Sequence, residues 1–111
     1  MSRELRELLP ELVAAAEGIQ GLKQLILYGS FARGEEDRRS DVDLLLVLDT
    51  PVDPEKTEVA EKARRGIVEA FARAGSERGV QITLSNLKGV DESFIENVAR
   101  EGVVLWGKPF F

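Results

Sequence analysis

The stretch Leu25-Ile26-Leu27-Tyr28-Gly29-Ser30-Phe31-Ala32-Arg33-Gly34, followed after a charged loop by Ser40-Asp41-Val42-Asp43-Leu44-Leu45-Leu46-Val47-Leu48-Asp49, decides the reading of this chain. The first apolar run is short, β-prone and closed by a Gly-Ser pair, the pattern of a buried strand ending in a turn. The second run is a strand of the same kind, except that aspartates stand at its start. Alternation along a strand puts Asp41 and Asp43 on one face, about 6.5 Å apart. Folding alone has no use for two carboxylates there. A shared divalent cation relieves their repulsion, and carboxylates, water and phosphate oxygens are the ligands that Mg²⁺ prefers.

The turn between the runs favours an anion. Glycine at position 29 lets backbone approach a ligand closely. A helix start after it offers free N–H groups and the positive end of a dipole. Ser30 adds a hydroxyl donor. An ordinary strand-to-helix turn with a serine cap would use the same residues, but the aspartate pair beside it tips the reading toward phosphate. Arg33, Arg38 and Arg39 carry guanidinium groups suited to forking onto phosphate oxygens, while Arg38 and Arg39 fit the solubility charges of a wet loop equally well.

The rest of the chain supplies a frame. Leu5, Leu8, Leu9, Leu12, Val13 and Ala16 are spaced as the apolar stripe of a helix over 2–17. Pro10 inside it predicts a kink or a later start. Asp53-Pro54 predicts a helix start, with a buried stripe of Val59, Ala60, Ala63, Ile67, Ala70, Phe71 and Ala74 running to Gly75. Val80 to Leu84 reads as a third strand, Asp91 to Arg100 as a helix with Phe94, Ile95 and Val98 inward, and Val103 to Trp106 as a last extended segment. Strand two, apolar on both faces past its aspartates, is expected in the middle of a sheet. Strands separated by helices make the class α+β: a small mixed β-sheet with helices packed mainly on one face.

Length and composition set limits. At 111 residues, the whole span 1–111 is expected to be a single domain. No apolar run is long enough to cross a membrane and no basic-then-apolar leader is seen. Cysteine is absent, which excludes disulfides and fits a cytoplasmic protein. Histidine is absent as well, so any metal is held by oxygen. A net charge of −5 does not imply binding to nucleic acid. Trp106, Phe110 and Phe111 crowd apolar surface near one end of the sequence, which predicts that it folds back on the core or is covered by a second chain, whether a homo-oligomer or another partner.

Gly29-Ser30, ten residues, then Asp41-x-Asp43, with Arg33, Gly34 and Ser40 in step, resembles the signature of the nucleotidyltransferase superfamily that includes DNA polymerase beta, and its short minimal-nucleotidyltransferase branch in particular. The resemblance implies a polymerase beta palm-like core. It implies that Asp41 and Asp43 are catalytic and hold Mg²⁺ or Mn²⁺ with a nucleoside triphosphate, and that Gly29, Ser30, Arg33 and Ser40 bind the nucleotide. Members carry a third carboxylate on the next strand, where this chain reads Val80-Gln81-Ile82-Thr83. Gln81 is the expected third catalytic position, with Thr83 next; neither is a carboxylate. Asp49 cannot substitute, because six residues of strand separate it from Asp43 by about 20 Å.

Two functions follow. The first is a nucleotidyltransferase that moves a nucleotidyl group to a hydroxyl. No second domain that would read the acceptor is seen, so the acceptor is expected on, or presented by, a partner. The resemblance implies a small helical partner protein of the toxin–antitoxin kind, with a tyrosine hydroxyl as acceptor. The second is a catalytically degenerate nucleotide-binding subunit acting as antitoxin or scaffold for such a partner.

Overall fold

The computed structural model describes residues 2–108. Helix α1, Arg3–Glu17, opens on Ser2, whose hydroxyl accepts from Leu5 N (3.1 Å), and closes at Gly18. Leu5, Leu8, Leu12 and Ala16 are its buried stripe. Pro10 sits on the exposed side, and the helix neither starts late nor stops there. Strand β1, Leu22–Tyr28, runs into the short helix α2, Gly29–Arg33, and strand β2, Val42–Leu48, follows the charged loop.

The helix expected from Pro54 begins only at Glu58. Pro54–Lys56 is a separate 3₁₀ turn capped by Asp53, whose Oδ1 accepts from Glu55 N (3.0 Å). Thr57 is extended (φ −111, ψ 162) and its hydroxyl donates to Pro54 O (2.7 Å). That side-chain bond offers the backbone an alternative to a continuous helix. Helix α3 is Glu58–Arg73, strand β3 is Val80–Ser85, helix α4 is Glu92–Glu101 with Asp91 as cap, and strand β4 is Val103–Gly107.

The sheet has the order β3-β2-β1-β4. β1 pairs antiparallel with β2 and with β4, whereas β2 and β3 are parallel and joined through α3, so the sheet is mixed. Strand β2 is therefore internal, as its two apolar faces require. Helices α1 and α3 pack together on one face over Leu25, Leu27, Leu44 and Leu46. Helix α4 lies on the other face, against Ile26, Leu45 and Val47 through Val98. The outer edge of β3 is blunted by Arg64 of α3, which donates to Ile82 O (2.9 Å) while paired with Glu55; a capped carbonyl is one fewer group open to strand addition.

Trp106 turns onto the α1/α3 core from β4. Of the two outcomes open for this aromatic end, Trp106 takes the fold-back; Phe110 and Phe111 lie outside the described residues. Among the described residues, no helix is long and apolar enough to cross a membrane.

Candidate active site

Pairing register builds the site. Tyr28 of β1 lies opposite Asp43 of β2, and Asp43 lies beside Gln81 of β3. Val42, Leu44, Leu46 and Leu48 point into the α1/α3 core, so the odd-numbered residues, Asp41 and Asp43 first, belong to the α4 face. The apolar packing of α4 reaches Leu45 and Val47, while Asp41 and Gln81 are exposed and Asp43 is half-buried. One end of this face is thus open, and the polar residues occupy that end.

Two glycines back the two carboxylates. Gly29 holds a left-handed φ of +73, and a Cβ there would run into the Asp43 carboxylate, at 3.1 Å from Cγ and closer still to Oδ2. Glycine is needed at this position twice, for conformation and for space. Gly79, just before β3, stands in the same relation to Asp41, whose Cγ would be 3.1 Å from an added Cβ. Its carbonyl accepts from Val42 N (2.9 Å), locking the start of β2 to the start of β3. Gly79 lies in no motif. Its only signal in sequence is a glycine placed directly before a strand that turns out to run parallel to the aspartate strand.

Burial first, and the neighbouring charge of Asp41 second, push the Asp43 carboxyl above the usual carboxylate range; the positive charge of Arg33 works the other way. Gln81 Nε2 donates to Asp41 Oδ2 (3.1 Å). Gln81 therefore touches one member of the carboxylate pair directly. Thr83 lies farther along β3, its hydroxyl 3.4 Å from that of Tyr28.

The anion side is less uniform. The first turn of α2 carries no side-chain cap, its N-cap being Tyr28. Ser30 is inside the helix and does not cap it. Arg33 is ion-paired with Glu35 (3.1 Å) and with Glu101 of α4 (3.4 Å), both on the surface. The Ser40 hydroxyl turns into the loop: it accepts from Asp37 N (2.9 Å) and donates to Asp37 Oδ1 (3.3 Å). So the structure gathers Asp41, Asp43, Gln81 and Gly29, keeps Arg33 within electrostatic reach, and engages Ser40 elsewhere. Arg38 and Arg39 are exposed on the loop. A cleft beside the Gly29 turn is lined by Tyr28, Arg33, Phe94 and Asn97, with the Tyr28 and Phe94 rings edge-to-face at 5.7 Å.

The donor set fits Mg²⁺ or Mn²⁺. Two carboxylates with an amide at their side leave coordination positions for water and phosphate, the usual company of Mg²⁺. Among the described residues, no group of three or more Asp, Glu, His or Cys is arranged to hold a metal.

Residues 3–102 match the family described as nucleotidyltransferase domain. No curated protein matches the sequence. Solved structures share the fold: a toxin–antitoxin crystallised with AMP-PNP (22% identity, TM-score 0.63, covering 90% of this chain and 73% of that one) and the toxin–antitoxin MntA–HepT (16%, 0.58, 93% and 73%). A third is a tri-AMPylated Shewanella oneidensis HEPN toxin in complex with MNT antitoxin (18%, 0.53, 95% and 73%).

Proposed function

Because the chain belongs to the nucleotidyltransferase domain family, we propose that it binds a nucleoside triphosphate with Mg²⁺ or Mn²⁺ and transfers the nucleotidyl group to a hydroxyl on a partner protein. The observation that carries this is the pair Asp41 and Asp43 on one open sheet face, each backed by a glycine, beside the Gly29-Ser30 turn. A bound Mg²⁺ would supply charge neutralisation for the phosphates and the leaving pyrophosphate. Asp41 and Asp43 are the residues to hold it. The Gly29 turn and α2 offer backbone N–H groups to phosphate oxygens, Ser30 contributes a hydroxyl, and Arg33 exchanges Glu35 and Glu101 for phosphate. Ser40 joins them only if its hydroxyl leaves Asp37.

In the transfer, the acceptor oxygen bonds to the α-phosphorus, the bond to pyrophosphate breaks, and the hydroxyl proton passes to solvent water. Gln81 cannot take that proton. A site without a built-in base favours an acceptor that gives up its proton easily. A tyrosine phenol, with a pKa of about 10, is the most acidic protein hydroxyl. The fold-mates described as toxin–antitoxin complexes, one of them with an AMPylated HEPN toxin, support a small helical partner carrying the acceptor.

Gln81 also supports a second reading: a nucleotide-binding subunit that has lost catalysis and acts as an antitoxin or scaffold. Its amide, at the position where the family resemblance implies a carboxylate, donates to Asp41. One experiment separates the two. Labelled nucleotide from ATP, CTP, GTP or UTP is offered to the protein together with its genomic neighbour. Transfer to a tyrosine of that neighbour, absent in Asp41→Asn/Asp43→Asn, is the expected result. Gln81→Asp should raise the rate, since a positioned general base is worth roughly 10² to 10⁴. Metal-dependent nucleotide binding without transfer by either wild type or Gln81→Asp would favour the scaffold; no binding at all would sink both.

A further inference from the structure

The candidate site explains Asp41 and Asp43 but not what holds the loop that delivers Asp41. That loop, 34–40, is charged and largely exposed, with little apolar surface to anchor it. Its anchor is Arg78. The guanidinium Nε donates to both carboxylate oxygens of Glu4 (2.9 and 2.8 Å), tying the start of β3 to α1. Nη1 donates to two backbone carbonyls of the loop, those of Asp37 and Ser40 (2.9 Å to the latter). The guanidinium carbon sits 4.9 Å from the centroid of the Phe31 ring, the buried residue of α2. One side chain therefore joins α1, α2, the loop and the approach to β3.

The placement matters because of what adjoins it. Ser40, whose carbonyl Arg78 grips, immediately precedes Asp41. Gly79, the residue after Arg78, packs against the Asp41 carboxylate and bonds Val42 N through its carbonyl. Asp41 is thus fixed from both sides by consecutive residues of one segment. Arginine suits the role and lysine does not: only a planar fork can bond two directions while stacking on a ring.

We propose that Arg78 is a positioning residue, which holds Asp41 where a metal–nucleotide complex can use it. The inference rests on the binding reading above. It predicts that Arg78→Ala weakens binding of Mg²⁺–ATP roughly tenfold or more, as small misplacements of a site do. Arg78→Lys keeps the charge and recovers only part of that loss. Glu4→Gln removes the ion pair to α1 but leaves the carbonyl bonds, so it costs stability with affinity within about threefold of wild type.

The test is calorimetry with Mg²⁺ and ATP on all four proteins, alongside amide hydrogen exchange over residues 37–42. Faster exchange there in Arg78→Ala, together with the affinity loss and with Glu4→Gln near wild type, supports the inference. Three results overturn it: unchanged exchange in Arg78→Ala, faster exchange with unchanged affinity, or a Glu4→Gln loss as large as that of Arg78→Ala. Failure of wild type to bind Mg²⁺–ATP is a different result and overturns the binding reading itself.

Discussion

The two faces of the sheet are made by alternate residues of the same strand, yet they behave as different materials. On the α1/α3 face, Val42, Leu44, Leu46 and Leu48 of β2 are sealed beneath two long helices. On the α4 face, Leu45 and Val47 are buried but Asp43 is half-buried and Asp41 exposed. Helix α4 is shorter than α1 or α3 and leaves the aspartate end uncovered. One face spends its area on removing apolar surface from water. The other gives some of that up to keep two like charges close together at an opening. The comparison teaches that stability and chemistry are divided here by strand parity, so substitutions one residue apart should differ in kind.

The largest stability effect belongs to the sealed face. Leu44→Ala leaves a cavity beneath α1 and α3 and should cost about 2–5 kcal/mol. Its denaturant midpoint should fall sharply, while Mg²⁺–ATP affinity of the folded protein stays near wild type. An affinity loss larger than the unfolded fraction explains would break the division between faces.

Gly29→Ala comes next and should show both characters. The left-handed φ and the collision with Asp43 together should cost on the order of 1–3 kcal/mol. Unlike Leu44→Ala, it should also displace Asp43 and abolish metal-dependent nucleotide binding. If Gly29→Ala melts lower yet binds normally, the glycine serves conformation alone and the space it leaves for Asp43 has no function.

The smallest effect sharpens the comparison through pH. The Asp43 carboxyl is raised by burial and by Asp41, so the folded protein holds that proton more tightly than the unfolded chain. Protons bound in excess by the folded state mean that stability falls as pH rises from the unfolded value, about 4, through the raised folded value. Asp43→Asn removes this term. Without metal, its melting temperature at pH 7 should slightly exceed that of wild type, and the gap should close on acidification. Added Mg²⁺ should raise the wild-type melting temperature and leave Asp43→Asn unmoved. A variant less stable than wild type at pH 7 without metal would show that Asp43 supports the fold.

Much of this division is legible in the chain before it folds. The apolar alternation of β2, the Gly29-Ser30 closure of β1 and the stripe of α1 are local, because strand period, helix period and turn chemistry act within a few residues. They suffice for the element order and for the common face of Asp41 and Asp43; Gln81 on the next strand comes from the family resemblance and not from local pattern. Where a local rule has a local rival, as at Thr57, the reading misplaced a helix start.

The remaining features depend on residues far apart in the chain. That Gly79 backs Asp41 follows from β3 lying parallel to β2 in one particular register. That Arg78 grips the loop depends on where α1, α2 and the loop converge around it. That Ser40 spends its hydroxyl on Asp37, and Arg33 its charge on Glu35 and Glu101, depends on side-chain partners that no periodicity encodes. Backbone pattern is written in the order of residues. The partners of a long polar side chain are chosen only when distant segments meet, because the energy of each such contact is small and many alternatives compete until packing removes them.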